Sequence, residues 1–393
     1  MMMKRVSILG STGSIGRNTL EVLRHHRKKY QVLGLVAGQN VELLLAQARE
    51  FKPKYVSLKT NQAAEMFMSQ TPDPHLEVLV GEAGASQIAS LPENDIVVSA
   101  ITGIEGLKPT LAALQAGKRV ALANKESMVV AGPFIQAQAR RSGAEIIPVD
   151  SEHSGIYQCL RKERPTDVRK VILTASGGPF FQYSSEQLAT VTLEEALRHP
   201  RWKMGKKISV DSATLMNKGL ELLEARWLFN LTPEQLGILV HPQSLVHSLV
   251  ELKDGTLLAQ LSPTDMKIPI QYALTAPYRQ EANWPSLDLS QIQKLEFYEV
   301  DTSKFPLINL ARQALSEELS FAVALNGANE EVVQAFLRKK IRFIDLAPLI
   351  FEVMERHRSQ AIGSLEEIFE VDRQTRELTR RLINQWKMKG KRR

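Results

Sequence analysis

Apolar residues along this chain follow two rhythms, and their order predicts an architecture. Short, mostly apolar runs occupy residues 6–9, 32–37, 55–58, 77–80, 95–100, 119–123 and 144–149. Such runs suit strands buried on both faces of a parallel sheet. Helical spacing fills the intervals, clearest at 14–25, 41–51 and 107–116. Strands alternating with helices predict an α/β fold with a Rossmann-like, doubly wound parallel sheet over residues 1–150. After residue 170 the rhythm changes. A strand at 171–175 leads into Ser176-Gly177-Gly178, then a polar helical stretch at 185–198 and a helix expected from about 212 to 229. A strand at 236–242 precedes a hairpin over 245–261 that turns at Asp254-Gly255, so a sheet with one solvated face is expected. Residues 151–275 read as a central α+β domain, and the proline-containing stretch 276–305 as a linker. From 306 to 393 the spacing is helical and predicts a C-terminal helical domain.

Composition narrows the class. The 393 residues exceed one compact core, and 44% hydrophobic with 24% charged content is ordinary for a soluble protein. The single cysteine, Cys159, permits no disulfide framework. No apolar run approaches the roughly 20 residues of a membrane span, and the start passes straight into a strand pattern without a signal-peptide core. A cytoplasmic enzyme with no membrane association is expected. The net charge of +7 admits nucleic acid or phosphate-bearing small molecules as partners. No basic patch interleaves with aromatics, and part of the excess sits in the tail at 387–393, read as a frayed end. Phosphate ligands are therefore favoured over nucleic acid.

Candidate chemistry lies where strands end. The first strand runs into Gly10-Ser11-Thr12-Gly13-Ser14-Ile15-Gly16 and then a helix. Strand, glycine turn and helix form a phosphate cradle, because the glycines allow close backbone approach and the helix start offers free N–H groups. The spacing is G-x-x-G-x-x-G, and the bland alternative is a tight strand–helix turn. The second strand ends at Gly38-Gln39-Asn40, without the acid that holds the NAD ribose. That favours NADP, although no Arg or Lys stands there, so a 2′-phosphate needs backbone amides, Asn40 or a more distant cation. Asn124, Lys125 and Glu126 follow another strand; Lys125 suits a phosphate or carbonyl, and surface charges at a helix cap are the alternative.

Asp150 and Glu152, at i and i+2 of a run read as extended, are expected on one side of the chain. A solvated acidic pair is the bland reading. Ser212, Asn217, Lys218 and Glu221 bring a hydroxyl, an amide, an ammonium and a carboxylate within ten residues. A solvated helical face with an ion pair is the usual reading of such a run. Asp150, Glu152 and Glu221 together, with no Cys or His cluster, make a hard oxygen set preferring Mg²⁺ or Mn²⁺. Trp202 and Met204, between Pro200 and Gly205, suit a segment closing over a ligand and equally suit minor core anchors; His241 and His247 read as structural.

Taken together, the glycine turn, residues 123–127, 148–153 and 176–180, and above all the block 199–221 closely resemble the 1-deoxy-D-xylulose 5-phosphate reductoisomerase family. The resemblance implies NADPH on Thr12, Gly13, Ser14, Ile15, Gly38, Gln39, Asn40, Asn124, Glu126 and Gly205, and a divalent metal on Asp150, Glu152 and Glu221. It implies a sugar phosphate substrate on Lys125, Ser151, Glu152, Ser176, His199, Trp202, Ser212, Asn217, Lys218 and Glu221. Ser176, Ser212, Asn217 and Lys218 would lie nearest its phosphate, and Lys125, Asp150, Glu152, His199 and Glu221 would carry catalysis. It further implies a mobile lid over 176–206 and a homodimer. Two departures stand out: Gln39 where family members often carry Lys, and Gly327 where Ala is common. An NADP-dependent dehydrogenase without rearrangement, and a nucleotide-sensing nucleic-acid binder, are the competing readings.

Overall fold

The structure, a computed structural model, describes residues 3–71, 73–202 and 204–390. The chain divides into two compact units. The first takes Met1–Ser127, Pro133–Tyr157 and Asp265–Pro285; the second takes Met128–Gly132, Gln158–Thr264 and Ser286–Arg393.

In the first unit the predicted alternation is present: β1 (Lys4–Leu9), α1 (Ser14–His25), β2 (Tyr30–Ala37), α2 (Val41–Phe51), β3 (Tyr55–Leu58), α3 (Asn61–Met68), β4 (Glu77–Val80), α4 (Gly81–Ser90), β5 (Ile96–Ser99), α5 (Leu107–Gln115), β6 (Arg119–Leu122), α6 (Lys125–Ser142), β7 (Ile146–Pro148) and α7 (Ser151–Leu160). Among the described residues, the seven strands pair in parallel in the order β4-β3-β2-β1-β5-β6-β7. Strand direction of progress reverses at β1, so the crevice beyond the end of β1 is where such a sheet receives a ligand. The core is continuous through Val6, Ile8, Leu35, Val56, Ile96, Val98, Ala121 and Ile147, all at most 1% exposed. That burial on both faces explains why the central strands read as largely apolar runs.

The second unit holds β8 (Val168–Ala175), α8 (Ser185–Ala189), α9 (Leu193–Ala196), α10 (Lys206–Ala213), α11 (Met216–Phe229), β9 (Leu236–Val240), β10 (Val246–Leu252) and β11 (Leu257–Leu261). Among the described residues its sheet is ordered β11-β10-β8-β9, with β8 and β9 parallel and the rest antiparallel. The chain then contributes α12 (Lys267–Thr275) to the first unit, and α13 (Leu307–Ala314), α14 (Leu319–Leu337), α15 (Leu346–Arg356) and α16 (Leu365–Gly390) to the second. α12 packs on α1: His26 Nε2 donates to Gln271 Oε1 at 2.8 Å, the Tyr30 hydroxyl donates to the Leu274 carbonyl at 3.2 Å, and Ile270, Ala273 and Leu274 enter the first core.

Two local expectations need correction. The helix expected from 212 to 229 is two helices, because Leu215 adopts φ +58° and ψ +6° between α10 and α11. Left-handed backbone at a leucine is costly; buried at 2% exposure, Leu215 has its conformation imposed by packing. Nor is the Asp150–Glu152 stretch extended. β7 ends at Pro148, and the Asp150 carbonyl accepts from Ser154 N–H at 2.8 Å, so Asp150 caps α7 and Glu152 lies in its first turn. Of the basic tail, residues 391–393 lie outside the described residues, as does Lys203 in the predicted lid.

Candidate functional site

In the first unit, the candidate residues gather at the carboxyl ends of parallel strands. Gly10, after β1, has φ +91°, and a Cβ there would lie 2.5 Å from the Ala100 carbonyl oxygen. Gly16 is as tightly confined: a Cβ would lie 2.5 Å from Ser11 Cα. The Gly10 and Ser11 amides donate to the Val36 carbonyl at 2.9 and 2.8 Å, tying the turn to β2. Gly13 is the N-cap of α1 and supplies no side-chain cap, so the helix start presents backbone N–H groups beside Thr12, Ser14 and Ile15. These constraints fit a pyrophosphate cradle.

Sequence spacing missed one supporting residue. Gln47, on the core face of α2 and 6% exposed, donates from Nε2 to the Ser11 carbonyl at 2.9 Å and so holds the turn from behind. A glutamine within an apolar stripe carries no signal of that contact.

Gly38, Gln39 and Asn40 follow β2 and are exposed. Asn40 Oδ1 accepts from Leu43 N–H at 3.1 Å and caps α2. Asn124 links two strand ends: its Oδ1 caps α6 through Ser127 N–H at 2.6 Å, while Nδ2 donates to the Ile101 carbonyl and, at 2.9 Å, to that of Gly103. Lys125 opens α6, and its Nζ lies 2.8 Å from Asp150 Oδ2, the two side chains 5% and 15% exposed. Glu126 is buried beside it in sequence. The Ser151 hydroxyl donates to Glu152 Oε2 at 2.6 Å.

In the second unit, the break at Leu215 starts α11 afresh, so Asn217 and Glu221 stand one turn apart. Asn217 Nδ2 donates to Glu221 Oε1 at 2.5 Å, and Lys218 Nζ donates to Glu221 Oε2 at 2.5 Å. The Glu221 carboxyl is 2% exposed and receives a donor on each oxygen. With a lysine counter-charge beside each, Asp150 and Glu221 offer carboxylate oxygens in their own surroundings. That donor chemistry fits a hard divalent cation.

Ser176 follows β8, and its Oγ lies 2.9 Å from His199 Nε2. His199 Nδ1 accepts the Arg201 and Trp202 amides at 3.2 and 2.8 Å, so the ring proton resides on Nε2 and is donated to Ser176. Ser176 Oγ also accepts from Gly178 N–H at 3.1 Å, which leaves its own O–H to donate elsewhere. Gly177 and Gly178 have φ +84° and +66°, and a Cβ on Gly178 would lie 2.5 Å from the Ser212 carbonyl oxygen. Only glycine permits this loop to lie against the end of α10. The structure thus brings Ser176 to His199, and the diglycine to Ser212, within one unit. The lid candidate Trp202 is half-buried, with its ring 6.3 Å from that of His247, whose Nε2 donates to the Ser262 carbonyl at 3.1 Å. Gly205, the N-cap of α10, is exposed. His241 donates from Nδ1 to the Glu296 carbonyl at 2.8 Å and stacks on Phe297; burial holds its pKa below the usual histidine value.

Comparisons with known proteins agree over both units. Family profiles match residues 6–132 (1-deoxy-D-xylulose 5-phosphate reductoisomerase), 146–229 (the C-terminal domain of that reductoisomerase) and 261–378 (DXP reductoisomerase C-terminal domain). The chain is 48% identical over 381 residues to the 1-deoxy-D-xylulose 5-phosphate reductoisomerase of Chlorobium chlorochromatii, covering 97% of this chain and 100% of that one. It is 47% identical over 382 residues to the enzyme of the same name from a Geobacillus species, again covering 97% and 100%. Among solved structures, a DOX-P reductoisomerase in complex with NADPH, fosmidomycin and magnesium is similar with a TM-score of 0.92 at 40% identity, covering 98% and 99% of the two chains. The Zymomonas mobilis reductoisomerase in complex with NADPH gives 0.91 at 39%, covering 97% and 99%.

Proposed function

The chain belongs to the 1-deoxy-D-xylulose 5-phosphate reductoisomerase family, and from that premise we infer how its residues divide the work. The protein is an NADPH- and divalent-metal-dependent oxidoreductase that rearranges and reduces 1-deoxy-D-xylulose 5-phosphate to 2-C-methyl-D-erythritol 4-phosphate in non-mevalonate isoprenoid biosynthesis. The observation that carries this is the match at 48% identity across 97% of the chain.

In our reading, NADPH lies on the turn from Thr12 to Ile15, with Gly38, Gln39, Asn40, Asn124, Glu126 and Gly205. The confined glycines at 10 and 16 support the turn's part in this. Asp150, Glu152 and Glu221 hold the metal, magnesium or manganese, which supplies a Lewis acid for the neighbouring oxygens of the hydroxyketone. Lys125 neutralises Asp150 and is placed to face substrate oxygens; Ser151 orients Glu152. Ser176, Ser212, Asn217 and Lys218 take the substrate phosphate, for which neutral and cationic donors are suited. His199 fixes the Ser176 hydroxyl and the backbone leading to Trp202, which covers the substrate as segment 176–206 closes and excludes water. Remote phosphate binding helps drive that closure. We read 1–150 as the cofactor region, 151–264 as the catalytic region and 306–393 as helical support; 265–285, expected to fall in the catalytic domain and the linker, belongs instead to the first unit, which leaves 286–305 as the connection. The single cysteine supports a cytoplasmic setting. A homodimer is supported by β11, an edge strand with Leu257 exposed, and a monomeric sedimentation coefficient at micromolar concentration removes it.

The test is the fall in NADPH absorbance when 1-deoxy-D-xylulose 5-phosphate is added with Mg²⁺. No substrate-dependent oxidation sinks the reading, and a reduced product retaining the straight carbon skeleton favours a plain dehydrogenase. In the same assay His199→Ala is expected to raise the substrate KM by on the order of tenfold, the scale of a lost charge-assisted or anchoring bond, with NADPH affinity nearly unchanged. Unaltered steady-state constants would remove His199 from substrate handling.

A further inference from the structure

The turn after β2 lacks a charge that its ligand calls for. NADPH differs from NADH by a phosphate on the adenosine 2′-oxygen, and dinucleotide sheets receive that ribose at the end of the second strand. Gly38, Gln39 and Asn40 are all neutral. Asn40 commits its Oδ1 to capping α2. Around Gly38 there is open space, since a Cβ there would meet no atom within 4 Å. An arriving dianion therefore has room but needs a cation from another element.

The neighbouring strand brings one. β3 pairs with β2, Leu58 opposite Ala37, and the next residue, Lys59, donates its backbone N–H to the Gly38 carbonyl at 3.2 Å. Lys59 is thus fastened to the turn by its main chain. The other cations of these segments stand at the opposite end of the sheet: Arg49 lies in the last turn of α2, and Lys52 and Lys54 precede β3. Lys59 Nζ lies 2.6 and 2.7 Å from the two Glu105 carboxylate oxygens, with the side chains 53% and 62% exposed. Exposed pairs of this kind are weak and screened by salt. A phosphate dianion is a stronger acceptor for an ammonium than a solvated carboxylate.

We propose that Lys59 is the specificity-determining residue that selects NADPH over NADH, meeting the 2′-phosphate after exchanging Glu105 for it. The proposal rests on reading the Gly10–Gly16 turn as the dinucleotide site. It restores, from β3, the charge that Gln39 does not supply from β2.

Calorimetric titration of the full-length protein with 2′,5′-ADP and 5′-AMP, alongside NADPH and NADH, tests it without turnover. Lys59→Met is expected to weaken 2′,5′-ADP and NADPH by on the order of tenfold, as for loss of a charge-assisted contact, and to leave 5′-AMP and NADH unchanged. Glu105→Gln is expected to leave 2′,5′-ADP binding as it is or tighten it. Adding Gln39→Lys to Lys59→Met is expected to recover the loss. All these positions are exposed, so folding is not at issue. Wild-type affinity for 2′,5′-ADP in Lys59→Met overturns the proposal while the dinucleotide reading stands; weakened binding in Glu105→Gln overturns the exchange. If the wild-type protein binds none of the four nucleotides, the dinucleotide reading fails and takes the proposal with it.

Discussion

Glu221→Gln is expected to lower Mg²⁺-supported turnover by on the order of a thousandfold, the scale on which metal and electrostatic stabilisation act, while NADPH binding stays within a factor of about two. The substitution keeps shape and removes charge. The wild-type carboxylate takes Asn217 Nδ2 on one oxygen and Lys218 Nζ on the other, both at 2.5 Å, with almost no solvent contact. A glutamine amide can accept on only one side; its NH₂ turns a donor toward either Asn217 or Lys218. Lys218, itself 4% exposed, then loses its paired carboxylate. Breaking a buried ion pair from one side costs about 3–5 kcal/mol, so a lower melting temperature should accompany the kinetic loss. The NADPH titration separates local damage from unfolding, because cofactor affinity reports on a folded first unit. Wild-type turnover with Mg²⁺ would sink the metal assignment of Glu221.

Gly10→Ala should act on the other ligand. Its φ of +91° is outside the range L-residues adopt without strain, and the new Cβ would stand 2.5 Å from the Ala100 oxygen and 2.7 Å from its carbon. Those atoms belong to backbone at the end of β5 and have little room to retreat. Strain of about 1–3 kcal/mol, plus the displacement of Ala100, should both lower the melting temperature and move the turn. NADPH affinity is expected to fall by roughly a hundredfold, equivalent to about 2.7 kcal/mol. Gly38→Ala is the control: its Cβ meets nothing within 4 Å, so the melting temperature should barely move. An unchanged NADPH dissociation constant in Gly10→Ala would remove the glycine turn from the cofactor site.

The sheet of the first unit was legible because its central strands are buried on both faces, which writes them as largely apolar runs such as Ile96, Val97 and Val98. The glycine turn was legible for a related reason: Gly10 and Gly16 stand where no side chain fits. Other features leave no mark. Leu215 turns the chain into the left-handed region, yet leucine is an ordinary helix former. The hold of Gln47 on Ser11 depends on two elements meeting in space. The apolar positions of α12 announce a helix without naming the core it joins. At Asp150 the residue types mattered more than the assumed conformation: the pair is a helix start, and the argument from extended spacing fails there.

That last helix bears on how the molecule is made. All strands of the first sheet are synthesised by residue 148, but the α12 segment that packs on α1 arrives only at residues 265–285. The intervening 158–264 belong to the other unit. At about 5–20 residues per second, the ribosome spends roughly 5–20 s on that stretch. Throughout that interval the nascent chain lacks Ile270, Ala273 and Leu274, which the finished core includes beside Leu20 and Leu23. The order of the elements along the gene therefore imposes a wait, and with it a window in which the half-built nucleotide unit is exposed to chaperones and to its own neighbours on the polysome.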